Sequence, residues 1–130
     1  MRRLYNVRME ARVVEGAHVF ADPSGVIRIW NAGAEALFGH AAEDAIGQTL
    51  DLIVPPDYRE RHWEGYRAAM AASDGNIDHG SFNIPALHRS GAVRRIEVRL
   101  HVVHDSRNRV TGAMAVFSPD NDSAPPLPRL

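Results

Sequence analysis

The chain has 130 residues, of which 45% are hydrophobic and 24% charged, with a formal net charge of −1; this fits one compact soluble domain and leaves no basic excess for nucleic acid. No apolar run approaches the roughly 18 residues of a membrane span. There is no cysteine, which excludes disulfides, thiolate metal ligands and cysteinyl-flavin photochemistry, and the fifteen basic residues are all arginine, which excludes a lysine Schiff base.

Residues 1–14 form an amphipathic segment in which two periods compete. Leu4, Val7, Ala11 and Val14 recur at helical spacing, whereas Tyr5, Val7, Met9, Ala11 and Val13 alternate with polar residues as in a strand. Met1-Arg2-Arg3-Leu4 lacks the apolar run of a secretory signal, so the expected compartment is the cytoplasm. Ala17 to Ala21 and Val26 to Trp30 flank Asp22-Pro23-Ser24-Gly25 and predict a hairpin. Asn31 caps a helix carrying Ala34, Leu37 and Phe38 that stops at Gly39, and a shorter helix over Ala42 to Ile46 stops at Gly47.

Leu50 to Val54 runs into Pro55-Pro56, after which Asp57 and Glu60 have the spacing of a capping box for a long helix from Tyr58 to Ser73. Asp74-Gly75 supplies its stop. Strands are expected from Ser81 to His88, from Val93 to Val103 and from Val110 to Phe117. The middle one alternates, with Ile96, Val98, Leu100 and Val102 against Arg95, Glu97, Arg99 and His101, and the last reads as buried on both sides. Residues 119–130 are rich in proline and polar side chains and are expected to be disordered.

Asp22-Pro23-Ser24-Gly25-Val26-Ile27, Trp30-Asn31, Ala34-Glu35, Leu37-Phe38-Gly39, Ile46-Gly47, Ile53-Val54-Pro55 and His88-Arg89-Ser90-Gly91, in this order, resemble the PAS domain over residues 15–118. The resemblance implies an α+β fold, a five-stranded antiparallel sheet with helices on one face, around a pocket for sensory ligands or for none. It also favours a helix over a strand for residues 1–14 and implies dimerisation through that segment. The family usually ends its last strand in an Asp-x-Thr motif leading to an output domain. Here the chain reads Ser118-Pro119-Asp120, so a stand-alone domain acting on a partner protein in trans is expected.

Pro55-Pro56-Asp57-Tyr58-Arg59-Glu60-Arg61-His62 is similar to the proximal segment of haem-bearing PAS domains of oxygen-sensing histidine kinases. The resemblance makes His62 the iron ligand of a b-type haem that would sense a diatomic gas or redox state. Independently of the family, Tyr58, His62, Gly65, Tyr66, Ala69 and Ala72 share one helix face, and Gly65 and Ala69 leave room for a flat macrocycle. His62 could equally sit against the sheet, hydrogen-bonded to a carbonyl. His79, His88 and Arg89 are candidate propionate partners, and Phe82, Ile84, Leu100, Val102, Met114 and Val116 a candidate apolar distal wall, with Met114 able to close the sixth position.

The family's distal arginine falls opposite Phe82 and its propionate histidine opposite Asn76, so an apolar wall that favours carbon monoxide or nitric oxide is expected. No His-Glu-x-x-His, carboxylate pair or phosphate loop appears, so the chain is not expected to be an enzyme. The alternative is a haem-free module for small-ligand binding or protein interaction, with no cofactor or a non-covalent flavin.

Overall fold

A computed structural model describes residues 16–72 and 77–119. Strands β1 (Ala17–Ala21), β2 (Ile27–Trp30), β3 (Ile77–Leu87), β4 (Val93–His104) and β5 (Val110–Pro119) form an antiparallel sheet in the order β2-β1-β5-β4-β3. Between β2 and β3 come helices α1 (Ala32–Phe38) and α2 (Ala42–Ala45), two 3-10 turns (Leu50–Leu52 and Pro56–Tyr58), and α3 (Arg59–Ala71). This is the α+β arrangement expected. Among the described residues no helix is long and apolar enough to cross a membrane.

The first hairpin closes because the Asp22 carboxylate collects the N–H groups of Ser24 (2.9 Å) and Val26 (3.0 Å) and the Arg28 Nε (2.9 Å). Burial alone would raise the Asp22 pKa, but those bonds outweigh it and hold the carboxyl below its ordinary value. Asn31 then joins strand to helix, as its Oδ1 accepts from the N–H groups of His18 (2.8 Å) and Ala34 (2.9 Å). Its amide also donates to the Gly16 carbonyl at 3.0 Å.

Side chains alternate across a strand, so pairing sorts them into two faces. Val19 opposes Trp30 and Ala115, Ala21 opposes Ala113, and Val98 opposes both Phe82 and Phe117. That face meets the helices and holds the core, in which Val19, Ile27, Phe38 and Val98 are fully buried. Phe38 of α1 packs edge-on against Phe117, with centroids 5.0 Å apart, and beside Trp30.

Several boundaries differ from the sequence expectation. Asp57 caps nothing: Pro56 begins a 3-10 turn, and Tyr58 occupies the N-cap of α3 without a side-chain cap. A proline's fixed φ suits a tight first turn, which delays the helix proper until Arg59. The Arg59 side chain fastens the entry instead, donating to the carbonyls of Val54 (3.0 Å) and Asp51 (3.2 Å). At 13 residues α3 is about 20 Å long. The Asp74-Gly75 stop, the N-terminal segment 1–14 and residues 120–130 of the tail lie outside the described residues, whereas Pro119 belongs to β5.

Candidate functional site

Between α3 and the inner face of the sheet lies a cavity of about 520 Å³, within the range of about 300–1,000 Å³ typical of small-molecule sites. It is lined by Tyr58 at the entry to α3, by Arg61, His62, Gly65, Tyr66, Ala69 and Met70 of α3, and from the sheet chiefly by apolar side chains. The volume exists because the sheet offers methyl groups where larger residues would fill it. Ala21, Ala113 and Ala115 form the floor, and Gly65 and Ala69 thin the facing helix.

His62 stands among aromatic rings, 4.9 Å from the Trp63 centroid in a T-shaped contact and 5.8 Å from Tyr66. Its Nδ1 is buried and has no hydrogen-bond partner among the described residues. The alternative expectation of a carbonyl-bonded histidine is therefore not met at that nitrogen. Two neighbours fix the helix. Trp63 donates from Nε1 to Asp51 Oδ1 at 2.7 Å, and the Tyr66 hydroxyl donates to the carbonyls of Asp22 (2.6 Å) and Ala21 (3.2 Å). The Trp63 ring lies so close over Gly25 that a Cβ there would come within 2.2 Å of it. Burial pushes the Tyr66 phenol well above its ordinary pKa, with Asp22 adding to the effect, so it stays a donor.

Burial also lowers the His62 pKa, against the opposing pull of Asp51. At His40 burial is again the first cause of a lowered value, followed by Arg89 and His88, with Asp44 opposing. A histidine whose folded pKa is depressed binds more protons when unfolded, in the window reaching up to its ordinary 6.5. Its stabilising contribution is complete above that value and is lost as pH falls. The thermal midpoint of the ligand-free protein is therefore expected to drop as pH falls through and below the ordinary histidine value. A His40→Leu/His62→Leu variant should show a flatter profile, and an unchanged slope would refute this origin.

The other expected site residues divide. Tyr66, Ala69, Phe82, Ile84, Leu100 and Val102 line the cavity with His62. Met114 and Val116 do not: Met114 pairs with Phe20 and His101, and Val116 with His18 and Arg99, which places both on the sheet's opposite face. Met114 therefore cannot serve as a sixth ligand. The inward residues of β5 are Ala113, Ala115 and Phe117, one position out of step with the wall expected from sequence.

His88 and Arg89 also lie off the cavity, in the hairpin between β3 and β4. The His88 Nδ1 accepts from the Ser90 N–H at 3.0 Å, its ring covers Gly39, and the Arg89 N–H donates to the Phe38 carbonyl at 2.9 Å. The side chain of His79 lies outside the described residues. Sequence reasoning missed Arg61, Asn83, Arg95 and His101, which also line the cavity. Arg61 sits one residue before the histidine singled out, Arg95 and His101 come from positions read as the wet face of β4, and Asn83 lies on a strand whose faces the sequence reading did not assign.

The chemistry available is that of a neutral imidazole lining an apolar chamber, its Nδ1 without a hydrogen-bond partner among the described residues. No cluster of three or more histidine, aspartate or glutamate side chains suited to a metal ion occurs among the described residues. A planar macrocycle that brings its own four donors needs only one axial nitrogen and apolar walls, and these residues fit that requirement.

The family described as PAS fold matches residues 9–119. The PAS domain of a protein from Colwellia psychrerythraea is similar at 27% identity with a TM-score of 0.69, covering 90% of this chain and 97% of that one. An uncharacterized protein of Azorhizobium caulinodans is 33% identical over 65% of this chain and 12% of its own length. Sensor protein FixL of Bradyrhizobium diazoefficiens is 29% identical over 55% of this chain and 14% of its own length. The chain thus spans only a small part of these two relatives.

Proposed function

The chain belongs to the PAS family, and from that premise we propose that it is a sensor domain whose cavity binds b-type haem through His62. The observation that carries this reading is a histidine that lines the apolar chamber, is kept neutral by burial, and whose buried Nδ1 has no hydrogen-bond partner among the described residues. Phe82, Ile84, Leu100 and Val102 would pack one side of the macrocycle and Tyr66 and Ala69 the helix side. The bound iron would supply a reversible coordination position sensitive to a diatomic gas or to redox state.

The protein's own part is to hold the imidazole, exclude water and convert displacement of α3 into a change elsewhere. Tyr66 connects α3 to the end of β1, and Trp63 connects it to the 3-10 turn at Asp51 and to the Gly25 turn. A shift at His62 would therefore reach the turn between β1 and β2 and the 3-10 turn at Asp51 through two polar anchors, acting by binding and without catalysis. Residues 1–14, outside the described part, would pass it to a second copy or to a partner protein.

Hemin titration of the purified protein tests the reading. A Soret band saturating at one haem per chain is the expected result. Protein that remains colourless throughout, or binds hemin without saturation, would reject it.

A further inference from the structure

The backbone of β3 shows where the cavity opens. In an antiparallel ladder, alternate residues exchange both backbone bonds with the neighbouring strand while the others turn theirs away. Leu87 donates its N–H to the Ile53 carbonyl and not to β4, so the odd-numbered residues back to Ser81 point their backbone groups to the outer edge of the sheet. Pro85, which has no N–H, stands at one of those positions, as befits an edge strand. Five consecutive residues, Phe82 to Ala86, line the cavity. Residues of both faces of this edge strand thus meet the cavity, and we take its mouth to lie along the outer edge of β3, towards α3.

Arginines line the cavity from both the sheet and the helix side. Arg95 of β4 donates from Nε to the Asn83 Oδ1, and its Nη2 lies 3.5 Å from the Asn83 carbonyl at the outward edge. Its guanidinium thus reaches across β3 to the rim and keeps three of its five donors beyond those contacts. On the opposite wall the Arg61 guanidinium carbon lies 5.2 Å from the Tyr58 ring centroid. That stack engages the face of the group and leaves its edge donors available. No acidic residue lines the cavity among those described, since Asp51 is turned to Trp63 outside it.

We propose that the cavity is a site for amphipathic carboxylates, with the apolar body inside and the anionic group held at the mouth between Arg61 and Arg95. This deepens the reading of the cavity as a ligand site, on which it rests, and haem b, with two carboxylates on an apolar ring, is one member of the class. The test measures binding of a dansyl-labelled long-chain carboxylic acid and its methyl ester by fluorescence, alongside hemin and its dimethyl ester by absorption.

The acid should bind about tenfold more tightly than its ester, as charge-assisted bidentate contacts predict. Arg61→Gln and Arg61→Gln/Arg95→Gln should reduce and then remove the preference, and His62→Ala should keep it. The single Arg61 variant guards against misfolding, because its site is exposed on the helix. Equal binding of acid and ester, or exclusion of both, overturns the proposal. The dansyl probe carries no iron, so equal acid and ester binding beside a His62-dependent Soret band would remove the anion site and leave the haem reading intact. Acid preference without hemin ligation would do the reverse.

Discussion

His62→Ala is expected to remove the Soret band of the hemin-loaded protein almost completely, with haem affinity falling at least a hundredfold. A single protein donor, His62, holds the iron in this proposal: Met114 is on the other side of the sheet, His88 is committed to its hairpin, and His101, which also lines the cavity, is not called on as a ligand. The fold should survive, because the imidazole Nδ1 makes no hydrogen bond that its removal would strand. Absorption spectra and a thermal melt recorded on the same sample separate the two effects. Retention of a wild-type spectrum in the variant would show that haem binds elsewhere.

The largest loss of stability is expected from Gly112→Ala. Gly112 has φ of 150°, and a Cβ there would stand 2.1 Å from the Ala21 carbonyl oxygen and 2.6 Å from the Phe20 ring. The first obstacle is backbone of the paired strand β1 and cannot rotate away, so the ladder between β1 and β5 has to open. A cost of about 3 kcal/mol or more follows, lowering the thermal midpoint by on the order of 10 °C in a domain of this size. Gly47→Ala provides the contrast. That residue also has positive φ, 97°, but meets nothing within 4 Å, so only the backbone penalty of about 1–2 kcal/mol applies. Equal losses from the two variants in a denaturant titration would mean that the overlap at Gly112 relaxes freely. Because Ala21 and Ala113 flank this contact and floor the cavity, the Gly112 variant should also weaken ligand binding.

Much of the fold could be read from local signals because each has a local cause. The Asp22 turn, the Asn31 cap and the left-handed Gly39 are set by hydrogen bonds and backbone sterics within a few residues. The alternation of β4 declares its own inner face, and helical spacing places His62 with Tyr66 and Ala69. What resisted reading depends on partners distant in sequence. β5 is apolar on both faces, so its composition does not say whether Met114 or Ala115 points inward. Pairing with Val19 and Leu100 decides it.

The capping-box spacing at Asp57 competes with a 3-10 entry favoured by Pro56 and secured by Arg59, whose acceptors at Asp51 and Val54 are contributed by the preceding turn. Arg95 belongs by parity to the solvent face, and its arrival at the cavity depends on β3 being the last strand of the sheet. The candidate rim residues His88 and Arg89 lie close to the cavity walls in sequence, yet their hairpin is clasped to the end of α1 through Phe38 and Gly39.

Haem binding here requires that the chamber between α3 and the sheet be open and that the imidazole of His62 be its donor. A crystal structure of the hemin-reconstituted protein tests it directly. The expected result is the macrocycle seated between Ala69 and the β4 wall with an imidazole nitrogen of His62 on the iron. Haem adhering to the outer surface, above a chamber closed by its own side chains and a His62 ring bonded to a neighbouring carbonyl, would contradict it.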